Sequence, residues 1–164
     1  MKRVFLLDKS GSMEPRIADT LGGFNSFVNE QKQFGGTLTL YTFSDRISCV
    51  YRDVPIDYVK PLEDYVPSGN TALYDAMGEI LNTHEEGTFA IMTDGEENAS
   101  RKYTKAHVKD LIKRSKMNVI YFGADIEDAN DMGIHNAHYY DGNNTPETFR
   151  MLSQEVSSPQ AFLI

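Results

Sequence analysis

Val4-Phe5-Leu6-Leu7-Asp8-Lys9-Ser10-Gly11-Ser12 decides how this chain is read. Its apolar residues run without alternation, the mark of a short strand buried on both faces, and Asp8 stops them. Residues 3–7 are therefore expected to form a strand. Helical spacing follows at once over residues 14–34. Ile17, Leu21, Phe24, Phe27 and Val28 fall on one face, and Gly35-Gly36 ends the run. Gly22-Gly23 inside it is locally weak as helix and marks a point of close packing.

The same alternation continues outward. Thr37-Leu38-Thr39-Leu40-Tyr41-Thr42-Phe43 is rich in β-branched and aromatic residues and reads as a strand. Ser44-Asp45-Arg46 turns the chain into residues 47–51, expected as an antiparallel edge strand. Pro55, Pro61 and Pro67 punctuate residues 52–70, which are expected to be mostly loop. Thr71 is expected to cap a helix over 72–84, with Leu73, Met77, Ile80 and Leu81 on its apolar face. A strand is expected at 87–93, a helix capped by Thr104 up to 116, and a strand at 118–123. A short helix over 126–132 ending at Gly133, a strand at 138–140 and a helix at 145–153 complete the pattern. Buried strands alternating with amphipathic helices give an α/β fold: a mostly parallel, doubly wound sheet with helices on both faces.

The bulk numbers fit one domain, assigned to residues 1–157 with a short tail at 158–164; the tail's apolar end, Ala161-Phe162-Leu163-Ile164, is expected to pack back or fray. Sixteen basic against 24 acidic residues leave a formal charge of −8, which argues against general nucleic-acid binding. Cys49 is the single cysteine, so no internal disulfide forms, in keeping with a reducing cytosol. The apolar stretch after Met1-Lys2-Arg3 is too short for a signal peptide or membrane span, and a cytoplasmic location is expected.

Five side chains carry the chemistry: Asp8, Ser10 and Ser12 after the first strand, Thr71 in Pro67-Ser68-Gly69-Asn70-Thr71, and Asp94 in Thr93-Asp94-Gly95. All offer hard oxygen donors and none offers sulfur or imidazole. That set suits Mg²⁺, with Mn²⁺ or Ca²⁺ as alternatives, rather than zinc. In a doubly wound sheet, ligands bind beyond the carboxyl ends of the strands where the winding reverses. Asp8 and Asp94 each follow a strand, and they converge if those strands are neighbours. Alternation within Asp8-x-Ser10-x-Ser12 faces three side chains one way, turns Lys9 away, and assigns the bend to Gly11. Two carboxylates and three neutral hydroxyls roughly neutralise a divalent cation and leave a coordination position open, which favours binding a partner's carboxylate over turnover.

These three motifs, in this order and spacing, resemble the metal-ion-dependent adhesion site of von Willebrand factor A domains, and the resemblance covers nearly the whole chain. Gly22-Gly23-Phe24-Asn25-Ser26-Phe27 and Thr93–Ser100 look similar to compact, stand-alone members in bacteria and their phages. The resemblance implies a doubly wound fold with the metal at its top. It implies Ser10 and Ser12 as direct ligands, Asp8 and Asp94 acting directly or through water, and Thr71 switching between the two. In family members that switch, ligand binding at the metal is coupled to movement of the C-terminal helix, for which residues 145–153 are the candidate here.

Other features have plainer readings. Asp45, Asp75, Glu96 and Glu97 are expected as solvated surface, with a role in orienting ligands as the alternative. Lys105, Lys109, Lys113 and Lys116 form one helical stripe, with Lys102 just before it. Residues 101–116 hold seven of the sixteen basic residues and one acid, so a docking patch for an acidic partner, or a scaffold role through this helix, competes with a solvated face. His135 and His138 are a weak zinc pattern off any helix; His84 and His107 read as surface. Tyr139-Tyr140 reads as the end of the last strand or a packing contact.

The leading function is a non-enzymatic, metal-dependent protein-interaction module. A metal-dependent phosphohydrolase is the alternative, since a carboxylate after the first strand can accept a phosphoryl group. That chemistry wants a second carboxylate two residues on, where this chain has Ser10. No Gly-x-Gly-x-x-Gly, no Gly-x-x-x-x-Gly-Lys-Ser/Thr and no Gly-x-Ser-x-Gly supports a nucleotide site or a serine hydrolase.

Overall fold

In a computed structural model, which describes residues 1–157, six strands form one sheet in the order β3-β2-β1-β4-β5-β6. The strands are β1 (Lys2–Asp8), β2 (Thr37–Phe43), β3 (Ile47–Pro55), β4 (Glu86–Thr93), β5 (Lys116–Gly123) and β6 (Asn136–Tyr139). All pairings are parallel except β2 with β3. The helices are α1 (Ile17–Gln31), α2 (Leu73–Thr83), α3 (Lys105–Arg114), α4 (Ile126–Asp131) and α5 (Thr145–Val156). The expected doubly wound α/β architecture, with one antiparallel edge strand, is what the chain adopts.

The unbroken apolar runs explain the layering. Successive residues of a strand point to opposite faces, so β1 feeds two cores at once. Phe5 and Leu7 join Leu38, Leu40, Ala90 and Met92 under α1 and α5. Val4 and Leu6 join Phe43, Phe89 and Ile91 under α2, α3 and α4. The α1–α5 pair is drawn together by Gly23: a Cβ there would lie 2.2 Å from the Phe149 ring. Gly22 has open space in the same position, so the close packing point belongs to Gly23 alone.

Several boundaries differ from expectation. Residues 11–16 form a 3-10 turn containing Pro15, and α1 starts only at Ile17. β3 runs on to Pro55 through register shifts and Asp53, which sits at φ 47 with its N–H on Thr39 Oγ1 at 2.9 Å. Pro55 is tolerated because β3 is an edge strand. β5 begins at Lys116, β6 lies at 136–139 rather than 138–140, and α5 continues to Val156. Tyr139 is exposed, whereas Tyr140 is buried and its hydroxyl lies 3.0 Å from Thr145 Oγ1. His84 is buried rather than on the surface, with Nε2 2.9 Å from the Tyr41 hydroxyl. Residues 158–164, the expected tail, lie outside the described residues.

Candidate metal centre

The chain fills one side of β1 with β2 and β3, then crosses back to lay β4 on the other side. The winding therefore reverses between β1 and β4, whose carboxyl ends open the crevice. Leu7 pairs with Met92, so Asp8 and Thr93 end neighbouring strands side by side. Thr93 Oγ1 donates to Asp8 Oδ2 at 2.6 Å, and the Ser10 N–H donates to Asp8 Oδ1 at 2.7 Å. The Tyr65 hydroxyl holds the Asp8 carbonyl at 2.5 Å.

The hydroxyls converge above this floor. Ser10 Oγ and Ser12 Oγ lie 3.1 Å apart, and Ser12 Oγ donates to Asp94 Oδ1 at 2.7 Å. A Cβ added at Gly95 would lie 3.4 Å from Thr71 Oγ1 and 3.9 Å from Ser12 Oγ, so both hydroxyls border Gly95. All five expected residues are thus gathered at the top of the sheet. Asp8, Ser10 and Thr71 are buried, Asp94 is half-buried and Ser12 is exposed.

The residues fit a small divalent cation on two counts. At metal–oxygen distances of about 2.1 Å, adjacent oxygens of an octahedron stand about 3.0 Å apart. The Ser10–Ser12 and Ser12–Asp94 separations straddle that value. Second, Asp8 is fully buried, and no ion pair among the described residues includes it or Asp94. A buried carboxylate without a cation is costly. Burial accordingly pushes the Asp8 carboxyl above the usual carboxylate range; the Thr93 and Ser10 donors oppose this, and the charge of Asp94 adds to it.

Two local expectations need correction. Gly11 has no positive φ; its N–H donates to the Gly69 carbonyl at 3.0 Å, and Gly69 carries the left-handed conformation at φ 80. Thr71 does not cap α2. Ala72 occupies the cap position, and the free N–H groups of Tyr74 and Asp75 go instead to Glu97 Oε1 at 3.0 Å and Ser100 Oγ at 2.9 Å. The loop after β4 therefore caps α2 from a distance. Asn98 closes the clasp from both ends: its N–H donates to the Thr71 carbonyl at 2.9 Å, and its Oδ1 accepts the Thr71 N–H at 2.9 Å. Asp75 accepts backbone N–H groups of Arg101, Lys102 and Tyr103 at 2.8–2.9 Å, and Asp45 accepts the backbone and side-chain N–H groups of Asn70 at 3.2 Å. Asp45, exposed as expected, and Asp75 and Glu97, half-buried rather than solvated, tie the site's loops together. Thr93, Tyr65 and Asn98 were missed as supporting residues. Thr93 alone carried a local signal, because it ends a strand beside a site carboxylate.

The basic stripe is broken. Lys105 pairs with Asp128 at 3.1 Å and Asp131 at 3.3 Å, and Lys116 lies on β5 beyond the end of α3. Lys109 and Lys113 remain exposed on α3, which Thr104 caps as expected through the His107 N–H at 3.2 Å. His138 Nε2 lies 2.7 Å from Asn136 Oδ1 and 3.5 Å from Glu155 Oε1. No three His, Cys, Asp or Glu side chains cluster as a metal site among the described residues, so the His135–His138 zinc pattern has no third ligand. No described helix is long and apolar enough to cross a membrane.

No protein-family model matches the chain, and no curated protein matches it. Solved structures do. The ArnB paralog VWA2 from Sulfolobus acidocaldarius aligns at TM-score 0.72 and 18% identity, over 91% of this chain and 44% of that one. Proximal thread matrix protein 1 from the mussel byssus aligns at TM-score 0.68 and 17% identity, over 94% of this chain and 45% of that one. The same mussel protein with a zinc-occupied metal-ion-dependent adhesion site aligns at TM-score 0.63 and 16% identity, over 93% and 45%. BatB from Bacteroides thetaiotaomicron aligns at TM-score 0.63 and 14% identity, over 96% and 97%. The chain spans under half the length of the mussel and Sulfolobus chains. Its fold is that of von Willebrand factor A domains.

Proposed function

We propose that Asp8, Ser10, Ser12, Thr71 and Asp94 hold a divalent cation, Mg²⁺ first, and that the chain is a non-enzymatic, cytoplasmic module that binds an acidic side chain of a protein partner. The observation that carries this is buried Asp8, in no ion pair among the described residues, beside oxygens of Ser10, Ser12 and Asp94 spaced as adjacent ligands of an octahedron would be. When bound, the cation supplies an open coordination position for an incoming carboxylate. The protein's own residues do the rest. Thr93 and Ser10 orient Asp8, Asp94 orients Ser12, and the Asn98 clasp sets Thr71. The zinc-occupied site of the mussel protein, on the same fold, supports a divalent cation at this end of the sheet. An oxygen-only donor set favours Mg²⁺ or Mn²⁺ over zinc. Ser10 occupies the place where phosphoryl transfer would want a second carboxylate, and this weighs against a phosphohydrolase.

Calorimetric titration of metal-free protein with Mg²⁺, Mn²⁺ and Zn²⁺, beside Asp8→Ala, tests the reading. Saturable Mg²⁺ or Mn²⁺ binding that the variant lacks is the expected result. Equal binding by both proteins would sink it.

A further inference from the structure

A groove lies along the start of α2, between the β2–β3 turn and residues 98–102. Asn70 and Ala72, which flank Thr71 in sequence, and Asn98, which clasps it by hydrogen bond, line the groove, so it adjoins the five-residue site without including any of the five. Its charged residues are of two kinds. Asp45 and Asp75 keep their charge, but their carboxylate oxygens are engaged by backbone and amide N–H groups, as described above, so that with Glu79 the groove's acids equal its cations in number. Arg46, Arg101 and Lys102 are exposed and enter no ion pair among the described residues. Glu79, at the far end on α2, is the groove's remaining exposed acid. Three exposed cations lining one groove stand out in a chain of formal charge −8.

We propose that this groove takes the acidic segment of a protein partner that flanks the metal-bound carboxylate, so that recognition requires one acid at the cation and further acids against Arg46, Arg101 and Lys102. The proposal rests on the metal-dependent reading above. It names the partner's chemistry as an acidic peptide stretch, not a single aspartate or glutamate. The backbone at Arg101 and Lys102 is held in place, because the N–H groups of both are anchored on Asp75 at 2.9 and 2.8 Å. The side chains therefore sit at the rim, where such charges set selectivity and encounter rate.

The test uses two synthetic peptides in Mg²⁺ at low salt: one with a single aspartate among glycines and serines, the other with the same aspartate flanked by glutamates. Binding is followed by amide chemical shifts of labelled protein. The polyacidic peptide is expected to bind about tenfold tighter, as a few exposed ion pairs would allow, with shifts at residues 45–47, 70–79 and 98–102. The double variant Arg101→Gln, Lys102→Gln keeps the backbone donors and is expected to erase that difference while Mg²⁺ affinity stays unchanged. Equal affinities for the two peptides, no binding of either, or shifts centred on Lys109 and Lys113 would overturn the proposal. If polyacidic binding persists in chelator, the metal reading fails; if it needs Mg²⁺ but ignores the double variant, only the groove assignment fails.

Discussion

A carboxyl buried like that of Asp8 resists ionisation, and folding raises its pKa. In metal-free protein the native state then favours the protonated form. That contribution is full at acid pH, below the ordinary carboxylate range, and is lost as pH rises through the raised value. A bound divalent cation reverses the preference. Mg²⁺ is therefore expected to raise Tm more at about pH 7.5 than at about pH 4.5. Metal-free Asp8→Asn should be at least as stable as wild type at the higher pH and show no Mg²⁺ response; thermal scans across pH check both. Thr93→Val removes the 2.6 Å donor to Asp8 while keeping the shape. A loss of about 10- to 100-fold in metal affinity is expected from such a supporting residue, read by the same titration. The five candidate ligands were legible because each follows a strand or sits in a short motif. Tyr65 and Asn98 were not: their partners lie 57 and 27 residues away, and one sequence carries no sign of such pairs.

At the scale of elements, α1 and α5 approach through Gly23 and the Phe149 ring. Gly23→Ala should destabilise by about 1–3 kcal/mol through overpacking. Gly22→Ala meets open space and should stabilise by up to about 1 kcal/mol through helix propensity. Denaturant midpoints of the two variants check the contrast. The Gly-Gly pair was visible in the sequence, but which glycine faces α5 depends on the helix starting at Ile17 after a 3-10 turn. α2 shows the same limit. Its N-terminus was assigned to Thr71, an ordinary capping residue, yet the caps come from Glu97 and Ser100. Glu97→Ala should cost about 1–3 kcal/mol, since it leaves the partly buried N–H groups of Tyr74, Ala99 and Ser100 without their carboxylate. Chemical denaturation reads that cost. It should also weaken metal binding, because the same loop carries Asp94.

Across the whole molecule, the order β3-β2-β1-β4-β5-β6 turns three distant motifs into one site. Period and composition made the doubly wound class and its antiparallel edge legible, since unbroken apolar runs are buried on both faces, whereas the strand order, and with it the β1–β4 adjacency, entered the sequence reading only as a condition. The groove beside the site was not legible, because it exists only where the β2–β3 turn, α2 and the loop after β4 meet. A cation that binds only the folded protein should, at a hundredfold excess over Kd, stabilise it by about 2.7 kcal/mol. The most direct measurement is paramagnetic broadening of amide signals by sub-stoichiometric Mn²⁺. Broadening centred on Ser10–Ser12, Thr71 and Asp94, reversed by excess Mg²⁺ and absent in Asp94→Ala, is the predicted result. Broadening centred on any other part of the sheet, or identical broadening in the variant, would contradict a metal centre between β1 and β4.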